Sequence, residues 1–253
     1  AVTLHNMMGS SVMQVIIIGG GGIATALMQL YLTQGCKVVV FSRQQQAQHE
    51  IAASLTNHPH LSWFCTNEFA ETDYQTTLRK VFSESTHLIF CCVGFLHNES
   101  RGPEKSLKAV DANFMLETLQ ANTVEPALWL QRLMPFAVKQ PKLKMLWLSA
   151  KVGSISDNNL GGWYSYRASK AALNMLVKTA AIELRRLQPE LILVSVHPGT
   201  TDTALSQPFQ QNLAKGQLQS ASATAERLAS VADELVKAKH GHLLNWDGQV
   251  LAF

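Results

Sequence analysis

The sequence predicts an α/β fold, a doubly wound and mostly parallel sheet with helices on both faces. Short apolar runs rich in β-branched residues alternate with longer segments of helical spacing. These runs are apolar at consecutive positions, as strands are when helices cover both faces of a parallel sheet. The first run leads directly into a glycine turn and a helix, which is the order in which such folds begin.

Strands and helices are expected in alternation along the chain. The strands are predicted at Val15–Ile18, Val38–Phe41, Leu61–Cys65, Leu88–Cys92, Met145–Leu148, Ile192–Val196 and Leu243–Leu244. The helices are predicted at Ile23–Gln34, Gln44–Leu55, Tyr74–Phe82, Phe114–Val138, Tyr164–Leu187 and Thr224–Ala238. Long irregular stretches follow three of the strands, at Gly94–Ala109, Val152–Trp163 and Gly199–Ser222. We expect them at the carboxyl edge of the sheet, where open α/β folds bind ligands.

Composition excludes several classes of protein. Hydrophobic residues make up 47% and charged residues 15% of the 253 positions, which excludes a disordered chain. The net charge of +3 is too small to indicate nucleic acid or an acidic membrane surface as a partner. No linker or repeat divides residues 13–253, so one domain is expected there. Residues 1–12 are expected to be a leader or a disordered N-terminus.

The cysteines and the charge-free start of the chain bear on localisation. Four cysteines are too few for a disulfide scaffold of this length, which indicates a reduced, cytoplasmic protein. The first 36 residues carry no Asp, Glu, Lys or Arg, but four glycines at 19–22 interrupt this run. The glycines argue against a membrane-spanning helix, and the absence of a basic segment and a cleavage site argues against a signal peptide, so neither is expected. The histidines have no metal-ligand spacing, and no metal site is predicted.

The turn after the first strand has the spacing of a dinucleotide-binding site. Gly19-x-Gly21-x-x-Ala24 lies between a strand and an amphipathic helix. Backbone N–H groups at Gly19, Gly21, Gly22 and Ile23 are therefore expected to bind a pyrophosphate. The alternative interpretation of a glycine cluster is a flexible loop.

The end of the second strand indicates which nicotinamide cofactor is bound. No carboxylate occurs there before Glu50, whereas Ser42 and Arg43 stand at the strand tip. A guanidinium suits a 2′-phosphate because it offers a fixed fork of donors, so the predicted cofactor is NADP, in the form of NADPH. The alternative is a solvated arginine that begins a loop.

Tyr166 and Lys170 open the fifth predicted helix and share one face of it, since they are four residues apart. An ammonium beside a phenol is expected to lower the pKa of the phenol from about 10. This would make Tyr166 a usable general acid for carbonyl reduction. The alternative is an ordinary exposed pair, but the position after the fifth strand favours the catalytic interpretation.

These motifs together resemble the short-chain dehydrogenases/reductases over nearly all of residues 13–253. The resemblance rests on the glycine turn, Gly94, Asn122, the Tyr166/Lys170 pair and Pro198-Gly199-x-x-x-Thr203. The stretch from Val152 to Asn174 is especially similar to the C-factor and sniffer-like carbonyl reductase branch. The resemblance implies a Rossmann fold and an NADPH-dependent oxidoreductase that reduces an aldehyde or ketone by hydride transfer, with Tyr166 as general acid/base.

The resemblance also implies roles for single residues. Lys170 would hold the nicotinamide ribose, and Asn122 would anchor a water that relays protons to Lys170. Gly94 would let the adenosine half of the cofactor lie against the fourth strand. The nicotinamide carboxamide would be bound by the late turn, at Pro198, Gly199 and Thr203. As alternatives, Asn122 is a polar helix residue and Thr203 a turn residue.

The chain departs from the family pattern beside the predicted catalytic pair. Relatives carry a serine for the substrate carbonyl where this chain has Ala150. Ser149 is expected to point to the opposite face of the strand, which leaves Ser154 or a shifted backbone as the donor. This departure motivates a second hypothesis, an NAD(P)-binding signalling or sensor protein of the C-factor type with weak or no turnover.

The stretch after Gly199 is expected to form a lid over the nicotinamide. Its apolar residues, Leu205, Pro208, Phe209 and Leu213, favour a hydrophobic or aromatic small-molecule carbonyl substrate. Trp163 is interpreted as packing its loop. Relatives pair through the helices that correspond to Phe114–Val138 and Tyr164–Leu187, so the resemblance implies a homodimer or homotetramer.

Overall fold

An eight-stranded sheet forms the centre of the protein, whose computed structural model describes residues 12–211 and 216–253. In chain order the strands are β1 Gln14–Ile18, β2 Lys37–Ser42, β3 Leu61–Cys65, β4 Thr86–Cys91, β5 Lys144–Leu148, β6 Ile192–Val196, β7 Thr200–Thr201, β8 Leu218–Gln219, β9 Leu243–Leu244 and β10 Val250–Leu251. The helices are α1 Gly22–Thr33, α2 Glu50–Ala53, α3 Glu71–Val81, α4 Ala112–Leu119, α5 Glu125–Ala137, α6 Tyr164–Leu187 and α7 Ala221–Asp233.

The strand order across the sheet is β10-β9-β6-β5-β4-β1-β2-β3. Every neighbouring pair is parallel except β9 and β10. The predicted doubly wound, mostly parallel α/β fold is therefore confirmed. The order of the strands reverses at β1, which lies between β2 and β4, so the crevice at the carboxyl ends of β1 and β4 is where folds of this kind bind ligands.

Two layers of helices bury the sheet on both faces. All residues of β1 and of β6 are buried, as their continuous apolar runs require. One face packs against α1 and α7, where Leu27 and Leu228 are fully buried. The other packs against α3, α5 and α6 through Leu78, Leu133 and Leu173. Each such leucine contributes about 1.5–3 kcal/mol of burial free energy, which stabilises the packing of the helices on the sheet.

The helix predicted over Phe114–Val138 is interrupted, which corrects the expectation. α4 ends at Leu119, a π-helical turn covers Gln120–Val124, and α5 follows. Pro126 has no backbone N–H, so the carbonyl of Asn122 loses the donor that an α-helix places four residues later. The wider turn accommodates this loss and buries Asn122 completely.

The helix predicted over Gln44–Leu55 is wrong. A 3₁₀ turn at Gln46–Gln48 and the single turn α2 take its place, with His49 extended between them. The His49 ring bonds in two directions: Nδ1 accepts from the Ala52 N–H at 3.2 Å, and Nε2 donates to the Gly20 carbonyl at 2.8 Å. The bond to Gly20 attaches the segment to the glycine turn. A regular helix over these residues would not place the His49 ring there.

The remaining elements differ from prediction mainly at their ends. α7 begins at Ala221 because the Ser220 hydroxyl caps it, accepting from the Ala223 N–H at 3.1 Å. The stretch predicted as irregular after β6 contains β7 and β8, which pair with each other outside the main sheet. Residues 1–11 of the predicted leader and Leu213 of the predicted lid lie outside the described residues. None of the helices in the described ranges has the length and apolar character needed to cross a membrane.

Candidate active site

The glycine turn brings three segments together at the carboxyl edge. Gly19 has φ +114°, and a Cβ there would lie 3.3 Å from the carbonyl carbon of Cys92, just beyond β4. A Cβ on Gly20 would lie 2.6 Å from Ser42 Oγ, at the end of β2. Glycine is therefore required at position 19 by its positive φ, and a side chain at Gly20 would displace the Ser42 hydroxyl.

The start of α1 is open for an anion. Its N-cap, Gly21, makes no side-chain cap, and the first turn contains no acidic residue. Gly21 and Gly22 are exposed, and Ile23 is half-buried. The first N–H groups of a helix have no partner within it and attract negative charge, so the segment from Gly19 to Ile23 fits a pyrophosphate.

Ser42 and Arg43 differ in their surroundings. Ser42 is buried, and its hydroxyl accepts from the Gln44 N–H at 3.1 Å. Arg43 is exposed at the same edge of the sheet as the glycine turn. The guanidinium is therefore hydrated and free to meet a ligand at this edge.

Tyr166 and Lys170 lie at the start of α6, near the end of β5. Lys170 is 3% exposed, and its Nζ donates to the Leu148 carbonyl at 3.1 Å. The same Nζ lies 4.0 Å from the position of a Cβ on Gly94 and 5.8 Å from the centroid of the Tyr166 ring. The fold thus brings Tyr166, Lys170 and Gly94 together at the carboxyl edge.

The expected lowering of the Tyr166 pKa by Lys170 is wrong for this structure. Burial raises the pKa of Tyr166 to about 12. Burial also lowers the pKa of Lys170 to about 8. Both shifts have one cause, since removal from water disfavours phenolate and ammonium alike. Tyr166 consequently keeps its proton at neutral pH.

Asn122 joins the stretch after β4 to α6. Its Oδ1 accepts from the Phe95 N–H at 2.7 Å, and its Nδ2 donates to the Phe95 carbonyl at 2.8 Å and to Ser169 Oγ at 3.0 Å. Ser169 directly precedes Lys170. Asn122 therefore fixes the backbone around Lys170, whereas its role in a water relay stays a prediction.

The late turn covers the glycine turn. Thr203 Cγ2 lies 2.7 Å from the position of a Cβ on Gly22. Gly199, which follows Pro198, has φ +82°, with the Trp246 ring 3.3 Å from the position of its missing Cβ. The predicted nicotinamide turn and the predicted pyrophosphate turn are thus in contact.

Aromatic rings form a chain of contacts beside the phenol. The Trp163 ring centroid lies 5.9 Å from that of Tyr166 and 5.5 Å from that of Phe209. The predicted lid is fastened to the stretch after β4, because the Phe209 and His97 ring centroids are 5.7 Å apart and His97 Nε2 donates to the Ala204 carbonyl at 3.2 Å. Trp163, interpreted from the sequence as packing its loop, therefore contacts both the predicted acid and the lid.

The serine hydroxyls near Ala150 point in different directions. Ala150 is buried, and Ser149 Oγ donates to Asn174 Oδ1 at 2.7 Å, further along α6. Ser154 Oγ accepts from the Asp157 N–H at 3.2 Å, which leaves its hydroxyl proton as a donor. Ser149 is thus committed to α6, and Ser154 stays the alternative donor to a substrate carbonyl.

Side chains that the sequence did not indicate hold the site in shape. His49 bonds the glycine turn, and Glu104 lies on the start of α6. The Arg167 guanidinium donates to the carbonyls of Gly162 at 3.0 Å and Gly161 at 3.1 Å. A single charged residue in a loop forms no sequence pattern that could reveal its role, and only the Gly161-Gly162 pair could have indicated the turn before α6.

Within the described residues, no three His, Cys, Asp or Glu side chains form a cluster that could hold a metal ion.

Residues 13–214 match the family model of the short chain dehydrogenases. The C-signal protein of Myxococcus xanthus is 33% identical over 104 residues, which are 41% of this chain and 61% of that protein, less than two thirds of its length. The carbonyl reductase Sniffer of D. melanogaster has a TM-score of 0.80 at 22% identity, covering 96% of this chain and 100% of that chain. The NADPH-bound carbonyl reductase from chicken fatty liver has a TM-score of 0.79 at 22% identity, covering 98% and 97%. At these identities the two structures establish the shared fold alone.

The buried Lys170 predicts a pH dependence of stability. Between its pKa of about 8 in the folded protein and 10.5 in the unfolded chain, the unfolded chain binds more protons at this side chain. The free energy of unfolding therefore rises with pH in this window. Relative to Lys170→Met, the parent is expected to gain about 2–3 kcal/mol between about pH 7 and pH 10.

Urea denaturation at several pH values measures this difference. Lys139→Met, which removes an exposed lysine, is the matched control and should differ from the parent by a constant amount. A flat difference between the parent and Lys170→Met across the window would contradict the prediction.

Proposed function

The chain belongs to the short chain dehydrogenase family, and on this premise we propose that it is an NADPH-dependent oxidoreductase that reduces the carbonyl group of an aldehyde or ketone. The observation that carries the proposal is the placement of Tyr166 and Lys170 at the start of α6. The Lys170 ammonium reaches the end of β5 at 3.1 Å from the Leu148 carbonyl, at the ligand-binding edge. The similar fold of two carbonyl reductases supports the same reaction.

Reduction requires a proton at the carbonyl oxygen. The chemistry that bound NADPH supplies is hydride donation to the carbonyl carbon. Tyr166 is the proton donor in this proposal, since a phenol with a pKa of about 12 is protonated at neutral pH. The alkoxide formed is a stronger base than phenolate, so the proton transfer is favourable. Lys170, 5.8 Å from the ring centroid, stabilises the phenolate that remains.

The residues that would hold the cofactor line one path along the carboxyl edge. The segment from Gly19 to Ile23 would bind the pyrophosphate, chiefly through the N–H groups of Gly21, Gly22 and Ile23, because the Gly19 N–H already donates to the Phe41 carbonyl at 2.8 Å. Arg43 with Ser42 would bind the 2′-phosphate. Gly94 would lie beside the adenosine half. Pro198, Gly199 and Thr203 would orient the nicotinamide, since Thr203 lies against the start of α1.

Two further observations bear on the substrate class and on the localisation. Trp163 lies beside the phenol and Phe209 packs on Trp163, which favours a hydrophobic or aromatic substrate. All four cysteines are unpaired, in keeping with a reducing, cytoplasmic environment.

One observation favours a second candidate, a cofactor-binding signalling or sensor protein with weak turnover. Ala150 has no hydroxyl for a substrate carbonyl, and Ser149 is bonded to Asn174. The C-signal protein of Myxococcus xanthus is among the relatives. Tight NADPH binding in calorimetry without turnover of any carbonyl, and without gain from Ala150→Ser, would favour this candidate over the reductase.

We further propose that two copies pair through α4 and α6. Leu116 on α4 is 65% exposed, and Met175 on α6 is 66% exposed. Ile182 lies seven residues after Met175 and is also exposed, so the two form an apolar stripe on one face of the helix. A second copy of the chain would cover this surface.

Tyr166→Phe tests the reaction. We expect kcat to fall by about 100- to 10,000-fold, because the proton donor is removed. Oxidation of NADPH with a panel of aldehydes, ketones and quinones measures it. Tyr164→Phe, on the same helix and exposed, is the matched control and should keep the parental kcat. A Tyr166→Phe variant as active as the parent would overturn the mechanism.

Arg43→Leu tests the cofactor. Loss of a charge-assisted bond to the 2′-phosphate should raise the Kd for NADPH by about 10- to 100-fold and leave the Kd for NADH within about twofold. Calorimetry measures both, with Arg79→Leu as the exposed-arginine control. A parent that binds NADH more tightly than NADPH would refute the assignment.

The double variant Met175→Lys/Ile182→Lys tests the pairing. Charges on the apolar stripe should shift the protein to monomers, as measured by sedimentation velocity at micromolar concentration. Leu160→Lys, at a loop leucine that is 92% exposed, should leave the parental assembly intact. A monomeric parent would count against the proposal.

A further inference from the structure

The stretch after β4 contains a buried carboxylate that the proposed reaction does not use. Glu104 is 4% exposed, and the ion pairs within the described ranges do not include it. Its Oε2 accepts from the backbone N–H of Ser165 at 3.0 Å, and its Oε1 accepts from the Ser165 hydroxyl. Burial of a carboxylate is costly unless its charge is compensated, so this position requires a physical reason.

The positive end of α6 supplies the compensation. The N-cap residue, Trp163, makes no side-chain cap, and the first turn contains no acidic residue. The first N–H groups of α6 therefore depend on partners outside the helix. Glu104 accepts from the second residue of α6 and adds a negative charge where the helix dipole favours it. α6 is thus capped from a position 61 residues earlier in the chain.

The backbone of Glu104 holds Trp163 in an unfavourable conformation. Trp163 has φ 55° and ψ 42°, a left-handed conformation that costs about 1–2 kcal/mol for a residue with a Cβ. Gly161 and Gly162 before it also have positive φ, of 64° and 66°. The Trp163 N–H donates to the Glu104 carbonyl at 2.5 Å. Strain of this kind persists only where the surroundings determine it, and here it sets the Trp163 ring edge-on to Tyr166.

The same stretch also reaches the lid. A Cβ on Gly102 would lie 3.4 Å from Phe209 Cζ, and Phe209 contacts the Trp163 ring. The stretch that contains Gly102 and Glu104 therefore contacts both the lid and the first turn of α6. A shift of Glu104 would move Trp163, which contacts both Tyr166 and Phe209.

We propose that Glu104 is a positioning residue of the active site, which fixes the orientation of Tyr166 and Trp163 through its bonds to the first turn of α6. The proposal rests on the reductase function proposed above. Glu104 bonds to Ser165 and Trp163 and not to the glycine turn or Arg43. Its loss should therefore lower turnover without weakening cofactor binding.

Two substitutions at Glu104 separate charge from shape. Glu104→Gln keeps the size of the side chain and one acceptor for the Ser165 N–H, so kcat should fall about tenfold. Glu104→Ala removes both acceptors, and kcat should fall about 100-fold, the effect of a misplacement of about 1 Å. The Kd for NADPH in calorimetry should stay within about twofold of the parental value in both variants. Glu99→Gln, an exposed carboxylate in the same stretch, is the matched control and should match the parent throughout.

Hydrogen exchange provides a readout that does not depend on turnover. The Ser165 amide should exchange at least about tenfold faster in Glu104→Ala than in the parent or in Glu99→Gln, and Glu104→Gln, which keeps one acceptor, should lie between them. Parental kcat in both folded Glu104 variants would overturn the proposal, as would a loss of NADPH affinity equal to the loss of kcat. If the parent reduces no carbonyl at all, the reductase function fails, and the exchange of Ser165 then decides whether Glu104 holds the start of α6.

Discussion

The parallel pairing of β1, β4, β5 and β6 constrains the rest of the protein, because it delivers the ends of these strands to one edge of the sheet. A slip of one residue between neighbours would turn every side chain toward the opposite helical layer. β1 and β6 are buried along their whole length and rigidly packed on both sides. The segments after β4, β5 and β6 therefore begin side by side, and the Lys170 contact with the end of β5 depends on that arrangement.

Close approach between these segments is the second requirement of the site. A Cβ on Gly153 would lie 2.8 Å from the carbonyl carbon of Lys170, so glycine lets the stretch after β5 lie directly on the backbone of α6. Gly19 plays the same part against Cys92 at the glycine turn after β1. At both positions the missing side chain allows two backbones to meet, and the polar groups between them are excluded from water.

Exclusion of water determines the chemistry of the site more than any single charge pair does. Burial raises the pKa of Tyr166 to about 12 and lowers that of Lys170 to about 8, so between these values the phenol is protonated and the amine is neutral. The buried polar groups are held by backbone partners from other segments: Lys170 by Leu148, Asn122 by Phe95, and Glu104 by the start of α6. Such bonds orient each group without a mobile counter-ion.

The sequence by itself determined the parallel α/β class, the glycine turn and the bounds of α6, because these follow from periodicity and backbone preference within short windows. It also indicated Tyr166 and Lys170 as one face of a helix. Tertiary structure decided the features that depend on distant partners. The helix predicted over Gln44–Leu55 is interrupted at His49, which bonds Gly20, and α6 is capped by Glu104. The direction of the Tyr166 pKa shift belongs with these, because adjacency on a helix is a local property, whereas removal from water depends on every segment packed around the phenol.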